Sequence, residues 1–284
     1  MIIKESAFSE TSVAGEANGR FVDIRPSNGQ SSPSIGALYG EATAPGLTMQ
    51  PGTLELGERV SLEPVLASDI VRLNYSATFQ QFLAPTHSNF SFERLTFDFG
   101  NQFALYPGST RLLRPIASNG PDECGLDPTD HPACPSPNVR NLEGTIGFRV
   151  LASLSMTPGG DVVPFYFQPT LGGDDINGNE ALGSYQDYRF RAPDLLLTQE
   201  TFEHSIWKYP VGVMVMAEEG KLSLTRGSLG GGNWLHSFSA GLTLRAGGCP
   251  QVSLLFSWGG NEGTHAIASM NTSLLGGSLR PSLY

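Results

Sequence analysis

The fold is decided by residues 71–80, which read VRLNYSATFQ. Every second residue from Val71 to Phe79 is apolar or aromatic, and the residues between them are polar. A period of two places the two sets of side chains on opposite faces of an extended chain. The stretch therefore predicts a β-strand with one apolar face and one polar face.

The same rhythm recurs along the chain, most clearly in residues 145–155, 237–245 and 251–258. Segments of about ten residues are long for a globular sheet and match a tilted strand that crosses a bilayer. From these and weaker patterns we predict about eleven strands, over residues 18–25, 34–43, 53–66, 69–83, 90–106, 143–157, 188–203, 210–219, 234–246, 250–259 and 264–284.

Composition agrees with an all-β protein. The 284 residues include 34 Gly and 20 Pro, and only 15% are charged. Such a profile is typical of many strands joined by turns. No linker or internal repeat marks a boundary, so residues 1–284 are expected to form a single domain.

The net charge of −10 excludes whole classes of partner. Nucleic acid and anionic membrane surfaces attract basic proteins, so neither is expected to bind through charge. The first ten residues lack the apolar core of a signal peptide. We expect either that the protein stays inside the cell or that its true start lies upstream.

Strand length and the pattern of connections favour an antiparallel transmembrane β-barrel over a soluble β-sandwich. The long segment 158–187 is predicted to be a functional loop, and 107–142 an extracellular loop. Lipid of the outer membrane would then be a partner, with aromatic residues near strand ends as anchors. These aromatic residues are Tyr75, Phe79, Phe82, Phe103, Tyr106 and Trp258.

Cys124 and Cys134 lie in a loop rich in Pro and Asp. A disulfide between them is the favoured interpretation. A metal site with Asp127, Asp130 and His131 has no standard zinc spacing, and two free thiols are the third possibility.

No catalytic residue, cofactor or metal site is predicted elsewhere. The five histidines do not form a Ser/His/Asp pattern. Residues 175–180 lack the glycine and the acidic twelfth residue of a calcium loop, so they predict a turn. We therefore expect that the protein is not an enzyme.

Three stretches resemble the outer-membrane assembly-factor superfamily, the BamA/TamA-like surface-antigen barrels. They are 163–173, VPFYFQPTLGG, which includes Gly172 and Gly173; 182–191, LGSYQDYRFR; and 215–221, VMAEEGK. The resemblance covers about 143–270. It implies that 158–187 is the family's sixth extracellular loop, directed into the barrel lumen.

The family carries an Arg-Gly-Phe/Tyr motif in that loop. Here Gly183 stands in place of the arginine and Ser184 in place of the glycine, whereas Tyr185 matches. In the family the arginine pairs with an acidic residue on a wall strand, two residues before a glycine. Glu218 and Gly220 fit that second pattern.

A carboxylate inside the lumen needs a cation, because an unpaired buried charge costs several kcal/mol. We therefore predict that Arg189 or Arg191 forms a salt bridge with Glu218 across the lumen. The alternative is that both arginines are solvated charges at the rim.

The resemblance implies a barrel in the outer membrane of a bacterial cell that inserts or translocates other outer-membrane proteins, its unfolded clients. A family barrel has sixteen strands, five of them after the loop. The chain is thus expected to be an incomplete barrel, with further strands, periplasmic repeats and a signal peptide encoded upstream. The alternative function is a passive channel or structural barrel without insertase activity.

Overall fold

The computed structural model describes residues 7–16, 40–47, 51–62, 64–66, 70–105, 144–173, 175–206, 211–246 and 249–270. The described chain is all-β, with three single-turn 3-10 helices at Ser88–Phe90, Phe165–Phe167 and Arg226–Ser228. The strands are β1 (Ala7–Glu16), β2 (Thr53–Leu62), β3 (Val65–Leu66), β4 (Val71–Leu83), β5 (Phe92–Ala104), β6 (Gly144–Met156), β7 (Thr170–Leu171), β8 (Phe190–Arg191), β9 (Asp194–Ser205), β10 (Val211–Ser223), β11 (Leu235–Ala246), β12 (Cys249–Trp258) and β13 (His265–Met270).

Eleven of these strands form one antiparallel sheet in the order β1-β2-β4-β5-β6-β9-β10-β11-β12-β13, with the short β3 added to β4. β7 and β8 pair separately. Within the described residues β1 pairs only with β2, and β13 only with β12, so the sheet is open. The all-β antiparallel prediction is confirmed, whereas the sheet does not close on itself.

Most predicted strands lie within a few residues of the observed ones. β1 was missed, because its sequence AFSETSVAGE contains few apolar residues. The predicted strand 18–25 lies outside the described residues, and residues 41–43 of the predicted strand 34–43 form a turn. The predicted strand 188–203 is interrupted at Pro193, which has no N–H for a ladder.

The two faces of the sheet have opposite polarity. We call the face that contacts residues 157–193 the inner face. Buried side chains on it are mostly polar: Glu55, Ser76, Thr96, Ser153, Gln199, Glu203, Glu218, Ser237, Ser239, Thr243 and Ser257. The other, outer face carries large exposed apolar side chains: Leu56, Val60, Phe79, Phe99, Phe148, Phe202, Val215, Leu242, Phe256 and Trp258.

The sheet curves around residues 157–193. Asn177 bonds to Asp98 on β5, and a Cβ at Gly183 would contact Ile267 on β13. Six strand spacings separate β5 from β13, roughly 29 Å in a flat sheet. Six residues of chain span only about 20 Å, so the sheet must bend to bring both strands to this segment.

The apolar core lies between that segment and the inner face. Leu171, Ile176 and Leu182 of the segment pack against Leu151, Leu195 and Leu197 of the wall. A second cluster joins Phe82 and Phe92 to Val163 and Phe167 at the ends of the strands. The described part of the chain contains no helix long and apolar enough to cross a membrane.

The antiparallel order separates the two long connections. β4, β5, β6 and β9 are consecutive neighbours in the sheet, so successive connections emerge at alternating ends. β5 therefore ends, and β6 begins, at the end of the sheet opposite to 157–193. Residues 107–142 lie outside the described residues, so their assignment as an extracellular loop stays a prediction.

Candidate functional site: the enclosed loop

Residues 157–193 enter the sheet as a hairpin, which we call the enclosed loop. β7 and β8 pair at its neck, with Thr170 opposite Arg191 and Leu171 opposite Phe190. The tip between them lies against the inner face, and Leu171 and Leu182 are fully buried. The short neck therefore fixes where the tip enters.

Gly172 and Gly173 begin the tip with positive φ values of 109° and 71°. A side chain at Gly172 would come within 2.9 Å of Arg189 Cβ, and one at Gly173 would strike Asp187. Both carbonyls accept hydrogen bonds, from Tyr188 and Ala181, each at 2.9 Å. Glycine is therefore required at both positions to turn the chain inward.

Glu218 projects from β10 onto the inner face and is 1% exposed. Its Oε2 accepts the Gly183 N–H at 3.0 Å, and its Oε1 accepts from Gln199 Nε2 at 2.7 Å. The wall carboxylate therefore holds the tip through the backbone N–H of Gly183. Two good donors satisfy a buried carboxylate without a cation.

Arg189 and Arg191 do not reach Glu218, so the predicted salt bridge is wrong. Arg189 Nε pairs with Glu262 in the β12–β13 turn, and its side chain is 51% exposed. Arg191 donates to the Phe165 carbonyl at 2.6 Å and lies over the Phe165 ring. Arg191 lies in β8 at the neck and Arg189 directly precedes that strand, whereas Gly183 belongs to the tip.

Gly220 lies on the inner face two residues from Glu218. A Cβ there would come 2.8 Å from Leu171 Cδ1 and 3.0 Å from Leu182 Cδ1. The missing side chain is the space that the loop's leucines fill. The acid-x-glycine pattern thus combines an acceptor for the tip with room for its apolar residues.

Tyr185 is 6% exposed and packs edge-on against Phe190, with ring centroids 5.0 Å apart. Burial, with the nearby Glu262 carboxylate, raises the pKa of the Tyr185 phenol. The preceding Ser184 N–H donates to Ser237 Oγ on β11 at 3.0 Å. This part of the loop is therefore tied to the last three strands.

A charged cluster outside the predicted site residues holds the other side of the tip. Arg149 on β6 makes a bidentate contact with Asp98 on β5, at 2.8 Å and 2.7 Å. Its Nη1 lies 2.6 Å from Asp175 Oδ2 in the loop. The available signal was the alternation itself, because Asp98 and Arg149 both fall at inner-face positions.

Asp175 also shapes the tip. Its Oδ1 accepts the N–H groups of Asn177 at 2.7 Å and Asn179 at 3.0 Å. The predicted turn at residues 175–180 is confirmed. Burial raises the pKa of Asp175, and the Arg149 guanidinium opposes that shift.

Below the tip lies a cavity of about 750 Å³. Its walls are the inner faces of β4, β5, β6, β9 and β10, and the loop contributes Asn179 and Glu180. The lining is rich in amide, hydroxyl and charged side chains: Arg72, Asn74, Asp98, Asn101, Gln102, Arg149, Gln199 and Thr201. Such a cavity suits water or a polar ligand.

The described residues contain no group of three or more His, Cys, Asp or Glu side chains that could hold a metal. Cys124 and Cys134, with Asp127, Asp130 and His131, lie outside the described residues. Their disulfide stays a prediction. The chain matches no protein-family model and no curated protein.

Proposed function

We propose that the chain is the barrel portion of a bacterial outer-membrane protein of the BamA/TamA-like type, which inserts or translocates other proteins. The supporting observation is the polarity of the sheet: its apolar side chains face outward and its polar ones inward. Val60 is 58% exposed, Leu242 54% and Phe256 51%. Soluble monomers rarely expose contiguous apolar patches beyond a few hundred Å², whereas a barrel wall in lipid needs them.

Strand architecture supports the same proposal. β4, β5, β6 and β10 each have 13 residues, and consecutive strands pair as an antiparallel meander. About ten tilted residues cross a bilayer. Five strands follow the enclosed loop within the described residues, the number that the resemblance implies.

The edges of the sheet suggest the mechanism. β1 and β13 each have one neighbour within the described residues. An unpaired strand edge is costly in lipid and offers N–H and C=O groups to a client strand. The enclosed loop stabilises the curved wall while such an edge is open.

Insertion can be tested with purified chain in vesicles of phosphatidylethanolamine and phosphatidylglycerol. An unfolded eight-stranded barrel is added as client, and its folding is followed by heat-modifiable migration on a gel. We expect faster folding than in empty vesicles and in vesicles with an unrelated closed barrel. Equal rates in all three would contradict insertase activity.

The cavity of about 750 Å³ favours a second candidate, a passive channel. Polar and charged side chains such as Arg72, Asp98 and Arg149 contribute to its lining, as in water-filled barrels. The enclosed loop opposes this candidate, because it fills the inner face at one end. Planar-bilayer recordings separate the two: a large steady conductance with no client folding supports the channel.

A further inference from the structure

We propose that Arg149 is the positioning residue that keeps the tip of the enclosed loop on the inner face. The charges are reversed relative to the family's arrangement, with the cation on the wall and the carboxylate on the loop. The functional importance of this contact rests on the proposed function, because the placement of the loop distinguishes a regulated barrel from an open pore.

Partners on the wall strands alone hold the Arg149 guanidinium in one orientation, without any contribution from the loop. Asp98 binds its Nε and Nη2, and Gln199 Oε1 accepts from Nη1 at 2.7 Å. These partners come from β5 and β9, which flank β6. A preorganised fork loses little side-chain entropy when a further carboxylate binds. The wall therefore presents a preorganised binding site for the Asp175 carboxylate.

The buried Asp175 carboxylate needs the Arg149 guanidinium as its cation. It is 5% exposed, and its Oδ1 is used by the turn, so Oδ2 faces the Arg149 guanidinium. Without Arg149, the carboxylates of Asp98 and Asp175 would share a poorly solvated site with no cation. Breaking a buried pair by removing one partner is strongly destabilising. We expect the tip to leave the wall.

Release of the tip would open the cavity beneath it. Asn179 and Glu180 line the cavity and are the last two residues of the 175–180 turn. Asn177 also donates to Asp98 Oδ2 at 2.8 Å, so turn and wall meet at two points. Arg149 therefore controls both the placement of the loop and access to the cavity from the loop end.

Hydrogen exchange of the full chain in detergent tests this directly. The N–H groups of Asn177, Gly183 and Ser184 are bonded to carboxylate or hydroxyl acceptors in the docked loop. For Arg149→Gln we expect exchange across residues 175–185 to accelerate at least about tenfold. Unchanged exchange in a folded variant would overturn the proposal.

Arg72→Gln is the matched control. Arg72 lines the same cavity but forms no hydrogen bond or ion pair with the described part of the loop. It removes the same charge, so exchange across 175–185 should stay within about twofold of wild type. An equal acceleration in both variants would assign the effect to lost charge and overturn the role of Arg149.

Two further variants keep the test decisive if Arg149→Gln fails to fold. Asp175→Asn preserves the turn acceptor and the Arg149–Asp98 pair, so it removes only the loop contact and should still accelerate exchange several-fold. In the double variant Arg149→Gln/Asp175→Asn, Asp98 no longer faces a second carboxylate at residue 175, so exchange across 175–185 should be slower than in Arg149→Gln alone. Equal exchange in wild type and Asp175→Asn would contradict the proposal.

Client folding is measured on the same samples. If Arg149→Gln exchanges faster than wild type but the wild-type chain folds no client, the role of Arg149 stands and the proposed insertase function fails. If Arg149→Gln exchanges like wild type and the wild-type chain folds the client, the proposed function stands and the role of Arg149 fails. The two failures are therefore distinguishable.

Discussion

At the scale of single residues, Gly220 is where the wall makes room for the loop. A Cβ there meets Leu171 and Leu182 at 2.8 Å and 3.0 Å. We expect Gly220→Ala to lower the free energy of unfolding by about 1–3 kcal/mol, the usual cost of overpacking. Urea unfolding in detergent measures it. Gly230→Ala is the control, since nothing lies within 4 Å of its Cβ; equal losses would contradict this role for Gly220.

The contact between Glu262 and Arg189 should depend on pH. Hydrogen bonds from the Gln186 N–H and from Arg189 lower the pKa of Glu262 below its ordinary value. A lowered pKa gives stability that is present above the unfolded-state pKa and lost as pH falls through the folded-state pKa. Wild type should therefore have a higher urea midpoint than Glu262→Gln at pH 7, and the difference should vanish in strong acid.

Arg189→Gln provides the check on that assignment. It should bring the Glu262 pKa, read from its carboxyl carbon resonance, back toward the ordinary value. An unchanged pKa in this variant would contradict the role of Arg189 and leave the Gln186 N–H and the nearby His265 as the causes.

At the scale of elements, the enclosed loop is attached to the wall through Glu218. Glu218→Gln keeps one oxygen but replaces the other, which accepts from Gly183 or Gln199, with a donor. We expect a loss of about 1–3 kcal/mol in unfolding free energy, the cost of an unsatisfied buried group. Glu219→Gln, next along β10 and exposed, is the control. Equal midpoints for the two variants would exclude this anchoring role.

The enclosed loop shows which features of the site could be predicted from the sequence. Its boundaries, its glycines and its wall acid were visible as local patterns. The partner of Glu218 could not be predicted, because every residue except proline has a backbone N–H and the residue type does not show which one binds the carboxylate. The Arg149–Asp175 contact joins residues 26 positions apart, and the fold of the loop back onto the inner face of β6 brings them together.

At the scale of the whole molecule, alternation predicted the strands well because a period of two is a local property. Closure was beyond it, since pairing between distant edges depends on strand count and curvature. The assignment of 107–142 as an extracellular loop stays a prediction, because loop length says nothing about the end of the sheet from which a loop leaves. Antiparallel order alone decides that, so every strand must be counted correctly.

The solvent of the outer face decides whether the molecule is a membrane barrel. Val215 lies on that face of β10 and is 50% exposed. If lipid covers the outer face, Val215→Arg should lower the free energy of unfolding, measured for the chain in vesicles, by about 2–4 kcal/mol. The reason is that a charge at mid-membrane depth loses its hydration. Urea unfolding followed by tryptophan fluorescence measures it. Leu224→Arg is the matched control, since Leu224 lies just past the end of β10 and is 79% exposed. If water covers the face, both substitutions should stay within about 0.5 kcal/mol, and the transmembrane proposal would fail.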